Sequence, residues 1–315
     1  MGSRKNQVID RRFDAFMKIQ FLNGGLANQT FQYIFTRYYA LSHPGQTMYL
    51  DDSYFALNTV HNGYEIEKVF PNSKPALLSS CFDQDIWEYM LAERRKGKSI
   101  PQILTDNQIP TTMVSEFRDS YKNFNPFDGD VICVNSNSFE PEILDYTQEN
   151  IYYHGYWINK HWLYSYRDTM LKELELPPVT EPHNIAYLNE INNSNSVSVH
   201  IRRGDYVKLD WSLSIDDIRK IIDGFVDSMP GDMKLHAFVF SDDIPWCQSN
   251  YKGMGLGRFS QCTFVEGNTA GNNYRDLQLM SNCRGMIMSN SAFCYLAALL
   301  NQKKEFWSNV FQREV

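Results

Sequence analysis

The chain has 315 residues, 43% of them hydrophobic and 21% charged, which is enough for about two domains with full cores. Its formal net charge is -7, which excludes a broad nucleic-acid-binding face but leaves room for a small anion held by a few arginines. Aromatic residues make up 14%; most of these suit core filling, and some suit sugar or nucleotide stacking.

Residues 1–17 read as a polar lead-in with no apolar stretch long enough for a signal peptide. MKIQFL (17–22) reads as a strand and NGGLANQ as a glycine-bearing turn. Phe31, Ile34, Phe35, Tyr38 and Tyr39 then recur at helical spacing, and HPG (43–45) ends that helix. QTMYLDD (46–52) is a second strand. From 53 to 150 the pattern is mixed, with a helix around Gln84–Arg95 and a polar loop near 120–130. IYYHGYW (151–157) is strand-like, and one helix is expected over 160–176. PPVTEP (177–182) is the linker candidate, because two prolines forbid a continued helix.

Beyond it the pattern is more regular. A helix at HNIAYLNEIN, a strand at SVSVHI, a helix over 216–229 and strands at LHAFVF and CTFVEG come in turn. A helix over 274–283, a strand at GMIMSN and a final helix at SAFCYLAALLNQ follow. This alternation predicts a parallel sheet covered on both faces. The expected organisation is a lead-in (1–17), a first α/β domain (18–176) and a second (177–315). The longest apolar run, FCYLAALL (293–300), is too short to cross a bilayer. The six cysteines show no C-x-x-C pair and no zinc spacing. Reduced thiols in a cytoplasmic protein, with at most peripheral membrane association, are the expectation.

Four polar clusters, HIRRGD, FSDD, VEGN and MSNS, each fall at the C-terminal end of a predicted strand. Ligands of open parallel sheets bind outside those ends. Arg202 and Arg203 carry forked donors suited to phosphate. Strand alternation sends them to opposite sides, so one faces the pocket and the other braces the loop, with Asp205 as its partner. A plain ion pair at a strand end is the competing reading. Asn290 and Ser291 open the last helix and serve either as a cap or as an anion site. One of Asp242 and Asp243 caps a helix begun by Pro245. Asp276 either accepts hydrogen bonds from a base or ribose, or favours its helix dipole.

Other signals are weaker. No P-loop is present, GMGLG (253–257) lacks a preceding strand, and DGD (128–130) reads as a turn before it reads as a metal site. Arg203-Gly204-Asp205 also spells an adhesion motif, which would make the chain a binding module instead of an enzyme.

GGLANQTFQY (24–33) resembles the GG-L-G-N-Q-x-F-Q-Y opening of bacterial α-1,2-fucosyltransferases, the family-eleven glycosyltransferases. HNGYEIEKVF (61–70), YYHGYW (152–157), HIRRGDY (200–206), FSDDIPWC (240–247) and the run 276–301 are similar to that family's later motifs, in order. The resemblance implies a GT-B type α/β fold, two Rossmann-like domains facing across a cleft. It implies inverting transfer of fucose from GDP-β-L-fucose to the 2-hydroxyl of a galactose-terminated acceptor, with no metal or other cofactor. A different nucleotide-sugar transferase on the same fold is the alternative. Arg203 or Arg202 would hold the diphosphate, with Asn290 and Ser291 helping and Asp205, Asp242 and Asp243 in the donor pocket. His200 and Asp276 would lie near guanosine. Gly25, Asn28 and Gln29 would be on the acceptor side, with Asn28 among the catalytic residues. Asp210 is the candidate base, near the spacing at which related core-fucosylating enzymes carry an acid. Departures are Ala27 for a family glycine, SAFCYLAALL without the usual tryptophans, and the closing KKEFWSNVFQREV.

Overall fold

The computed structural model describes residues 17–148, 150–303 and 307–308. Residues 1–16 of the lead-in, and all of the closing segment after Lys303 except Trp307 and Ser308, lie outside the described residues. Met17, counted with the lead-in by sequence, is already the first residue of a strand. The chain divides into two compact units, one ending at Glu175 and the other beginning at Leu176.

In the first unit, β1 (Met17–Phe21), β2 (Met48–Asp51), β3 (Thr112–Ser115), β4 (Val131–Cys133) and β5 (Asn150–His154) form an all-parallel sheet in the order β2-β1-β5-β3-β4. The strands β1 and β5 are buried along nearly their whole length, as strands covered on both faces must be. Helix α1 (Leu26–Ser42) follows β1. Its Phe35 stacks on Trp157 at 4.4 Å and meets Tyr153 edge-on at 5.3 Å. Tyr152, pointing the other way by strand alternation, joins Ile19, Phe21 and Met113 in a second core. Helix α2 (Gln84–Arg95) covers that side with Ile86 and Met90. Beyond β3, the buried Glu116 carboxylate accepts the backbone N–H of Asn137, Tyr156 and Trp157 at 2.8–2.9 Å. Trp157 has φ 55, an outlier for a bulky residue that Glu116 holds in place.

The single helix expected over 160–176 is two pieces, Lys160–Tyr164 and Arg167–Glu173. The break falls at Tyr166 (φ -132), and Trp162 and Tyr166 both pack edge-on against Tyr38, at 5.0 and 5.5 Å. The polar loop near 120–130 begins with a short 3-10 turn, Arg118–Asn123.

In the second unit, β6 (Asn195–Ile201), β7 (Leu235–Ser241), β8 (Gln261–Phe264), β9 (Gly285–Ile287) and β10 (Trp307–Ser308) form another all-parallel sheet, ordered β10-β9-β6-β7-β8. Connecting helices used below are α3 (Gly204–Lys208), α4 (Ile215–Asp227), α5 (Ile244–Ser249), α6 (Tyr274–Asn282) and α7 (Ala292–Leu300). Ile218, Ile222 and Phe225 of α4 are buried at i, i+4 and i+7. Each such side chain contributes about 1.5–3 kcal/mol of burial against Val197, Val199 and Ile201. The alternate residues Ser196, Ser198 and His200 therefore turn to the opposite face. The chain runs β6, β7, β8 outward, then returns to place β9 on the other side of β6. That reversal is a topological switch point, where open α/β sheets bind ligands. Both units are Rossmann-like α/β layers, the components of the GT-B type of fold.

Among the described residues no helix is long and apolar enough to cross a membrane. All six cysteines are free.

Candidate functional site

The four polar clusters follow β6, β7, β8 and β9, which are parallel neighbours, so they share one sheet edge. At the switch point, His200 near the end of β6 shares a 2.8 Å hydrogen bond between Nδ1 and Ser289 Oγ, just past β9. Burial, and then the charge of Arg202, pushes the imidazole down to about 3. The ring is neutral at physiological pH and cannot supply a proton from an imidazolium.

The two arginines have different fates. Arg202 is clamped between two carboxylates, Nη2 to Asp205 Oδ1 at 2.6 Å and Nη1 to Asp242 Oδ2 at 2.9 Å. Arg203 spends only its Nε, on Asp243 Oδ2 at 3.2 Å, and lays its guanidinium 3.7 Å over the Trp246 ring. Its Nη groups have no hydrogen-bond partner among the described residues, while the side chain is mostly buried (18% exposed). Asp242 also accepts the Arg203 backbone N–H at 2.8 Å. That approach depends on Gly204, where a Cβ would sit 2.5 Å from Asp242 Oδ2. Asp243 caps α5 by accepting from Trp246 N, so one aspartate holds the turn of the arginine loop and the other aims Arg203. The adhesion motif is spent internally, since Asp205 is paired with Arg202 and Gly204 lies under Asp242.

The start of α7 is a filled cap. Ser291 Oγ accepts from Phe293 N at 3.3 Å, and Asn290 Nδ2 donates to the Trp211 carbonyl at 2.8 Å. Asn290 thus ties the end of the arginine loop to β9, while its Oδ1 is buried with no partner. Asp276, in the first turn of α6, accepts from Asn268 Nδ2 at 2.8 Å. Burial pushes its carboxyl up to about 7. Asn268 is itself locked to Asn184 by a reciprocal amide pair at 2.8 and 2.9 Å. Asp210 is exposed, at φ 56, and is not drawn into the ion-pair network around Arg202.

The acceptor-side candidates lie in the first unit, at the carboxyl end of β1. Gly25 caps α1. Gly24 has φ 80, and a Cβ there would meet Asn28 Nδ2 at 2.6 Å, so glycine lets half-buried Asn28 close over the turn. Gln29 is fully buried and its amide is occupied: it donates to the carbonyls of Gly24 and Gly63 and accepts from Glu65 N. It therefore joins the opening motif to the 61–65 segment.

Residues 137–307, more than half of the chain, match the profile of Glycosyl transferase family 11. The chain belongs to that family. It is 28% identical over 283 residues to an alpha-1,2-colitosyltransferase of Escherichia coli, covering 89% of this chain and 86% of the relative. It is 31% identical over 117 residues to the O-antigen biosynthesis glycosyltransferase WbnK of Escherichia coli, 35% of each chain. Among solved structures it aligns with the fucosyltransferase NodZ from Bradyrhizobium (14% identity, TM-score 0.45, 90% and 93% of the two chains). It also aligns with a mutant of Arabidopsis thaliana FUT1 in complex with GDP (11% identity, TM-score 0.48, 97% and 74%).

This family 11 member is a glycosyltransferase of a fucosyltransferase-like family. Tyr206, Trp246, Asn268 and Ser289 fell inside the segments HIRRGDY, FSDDIPWC, VEGN and MSNS without being given roles by the sequence reading, and Asn184 was read only as part of a helix. Asn184 and Asn268 lie 84 residues apart, and no local pattern could have paired them.

Proposed function

We propose that this enzyme transfers L-fucose from GDP-β-L-fucose to the 2-hydroxyl of a terminal galactoside, with inversion, giving an α-1,2 linkage. The observation that carries the proposal is the state of Arg203. It is anchored by Asp243 and Trp246 and its Nη groups are unpaired, at a sheet edge beside a switch point. A leaving diphosphate is the ligand such a fork suits. In the reaction the acceptor oxygen bonds to the anomeric carbon as the bond from that carbon to the diphosphate oxygen breaks. Charge grows on the diphosphate, and donors preorganised there lower the barrier. Arg202, held by two carboxylates, braces the loop. Asp205, Asp242 and Asp243 act through the arginines, and Asn290 and Ser291 hold the adjoining loop and helix end. Asp276 and His200 would meet the nucleoside, the carboxylate suiting the adjacent N–H groups of guanine. Asp210 would take the acceptor proton, while Gly25, Asn28 and Gln29 are assigned to the acceptor side on resemblance alone.

Positive charge at the diphosphate comes from arginine in this scheme, so no metal is required. Transfer is expected to survive EDTA, and a strict need for a divalent cation would refute it. Similarity to a colitosyltransferase favours one second reading, in which colitose replaces fucose on the same nucleotide. The deciding assay offers GDP-fucose and GDP-colitose with galactose-terminated acceptors, following GDP release and product linkage. Release with neither donor would overturn the proposal, and release with GDP-colitose alone would select the second reading.

A further inference from the structure

Directly after the arginine loop lies a run of which the scheme above uses only Asp210. Val207, Leu209 and Trp211 are exposed by 48%, 49% and 58%, and they alternate with Lys208, Asp210 and Ser212. Exposed apolar side chains scattered singly need no explanation, but three within five residues beside a binding site do.

The segment is also held firmly. Trp211 N donates to the Tyr206 carbonyl at 2.8 Å, and the Trp211 carbonyl accepts from Asn290 Nδ2 at 2.8 Å. The Tyr206 and Trp211 rings meet edge-on at 5.7 Å, and Arg202 lies 5.6 Å from the Tyr206 ring. Asp210, just before the tryptophan, takes φ 56, a left-handed turn that aspartate tolerates. A pinned backbone that leaves an indole in solvent is not a packing solution, because burial of the ring would have been favourable.

We infer that Trp211 is the stacking platform for a sugar ring of the acceptor, with Asp210 and Ser212 at its polar rim. This inference rests on the glycosyl-transfer reading and adds the residue that recognises the acceptor. A pyranose has an apolar C–H face and a rim of hydroxyls, which matches an exposed indole flanked by a carboxylate and a hydroxyl. Trp211 follows Arg203 by eight positions, and the intervening helix α3 and the hydrogen bond from Trp211 N back to the Tyr206 carbonyl keep the platform on the same loop as the diphosphate donors.

The test separates acceptor recognition from chemistry. Steady-state transfer is measured for wild type, Trp211→Ala and Trp211→Phe, varying donor and acceptor independently. The expected result is an acceptor KM raised roughly tenfold or more in Trp211→Ala, the order expected from losing one aromatic face, with the donor KM unmoved and Trp211→Phe largely restored. An acceptor KM within about twofold of wild type, or donor and acceptor KM rising together, overturns the inference. A second readout needs no donor. Titrating lactose and other galactose-terminated oligosaccharides into wild type and Trp211→Phe should perturb indole fluorescence only in wild type, and equal responses refute the platform. If wild type transfers no sugar but shows the Trp211-dependent titration, the transfer reading has failed while the platform stands.

Discussion

Arg203 and Arg202 are neighbours of one type, yet the structure assigns them unequal work, and paired substitutions measure the difference. Arg203→Ala removes an ion pair with Asp243 at 3.2 Å, half exposed on the carboxylate side, and a cation–π contact with Trp246 at 3.7 Å. The first is worth about 0–1 kcal/mol and the second about 0.5–2 kcal/mol. The melting temperature should fall by about 1–12 °C, at 2–4 °C per kcal/mol. The catalytic loss is larger, because removing one preorganised donor to developing charge costs about 2.7–4 kcal/mol, or 10²–10³-fold in kcat. Arg203→Lys should recover little, since an ammonium offers no fork. Arg202→Ala breaks pairs with Asp205 and Asp242, but Asp242 keeps its bond to the Arg203 N–H, so kcat should fall by no more than about tenfold, the cost of one or two exposed pairs. Kinetics of GDP release and thermal melting on each folded variant decide the matter. A folded Arg203→Ala enzyme within about tenfold of wild-type kcat, or an Arg202→Ala enzyme hurt more than Arg203→Ala, refutes the reasoning.

Asp276 is raised by burial from 3.8 to about 7, so the folded state holds its proton more tightly than the unfolded chain. Its contribution to stability is fully present below 3.8 and is lost as pH rises to about 7. A guanine base binds the ionised form, so GDP affinity measured by calorimetry should rise with pH through 7, and Asp276→Asn should flatten that profile. A wild-type profile without a step near 7 removes Asp276 as the base reader. Glu116→Gln turns an N–H₂ toward backbone donors now served by the carboxylate; a loss of about 1–3 kcal/mol should appear as a lower melting temperature, and an unchanged one would refute the clamp. Asp210→Asn keeps a residue that tolerates positive φ while removing the base. It should lower kcat with the donor KM intact, and an unchanged kcat ends the assignment.

Much of the second unit was legible because its signals are local. The strands LHAFVF and SVSVHI, the helix over 216–229 and the four polar strand ends each announce themselves within a few residues, and β6–β9 confirm one shared edge. In the first unit β3 and β4 span only four and three residues. Such short runs carry no readable period, and pairing partners far along the chain complete them. The break at Tyr166 likewise leaves no mark in the local periodicity, which runs on through it.

By itself the sequence determined the α/β class, most of the order of elements in the second unit and the gathering of charge at strand ends, because hydrophobic period and turn residues are properties of neighbours. It placed two arginines together and could not say which of them is free. Only the tertiary structure decided that, by bringing Asp242, Asp243 and Trp246 from β7 and α5 against the loop after β6. A side chain's role depends on which of its donors are already satisfied, and beyond the local Asp205 the carboxylates that satisfy them, Asp242 and Asp243, lie about forty residues away along the chain.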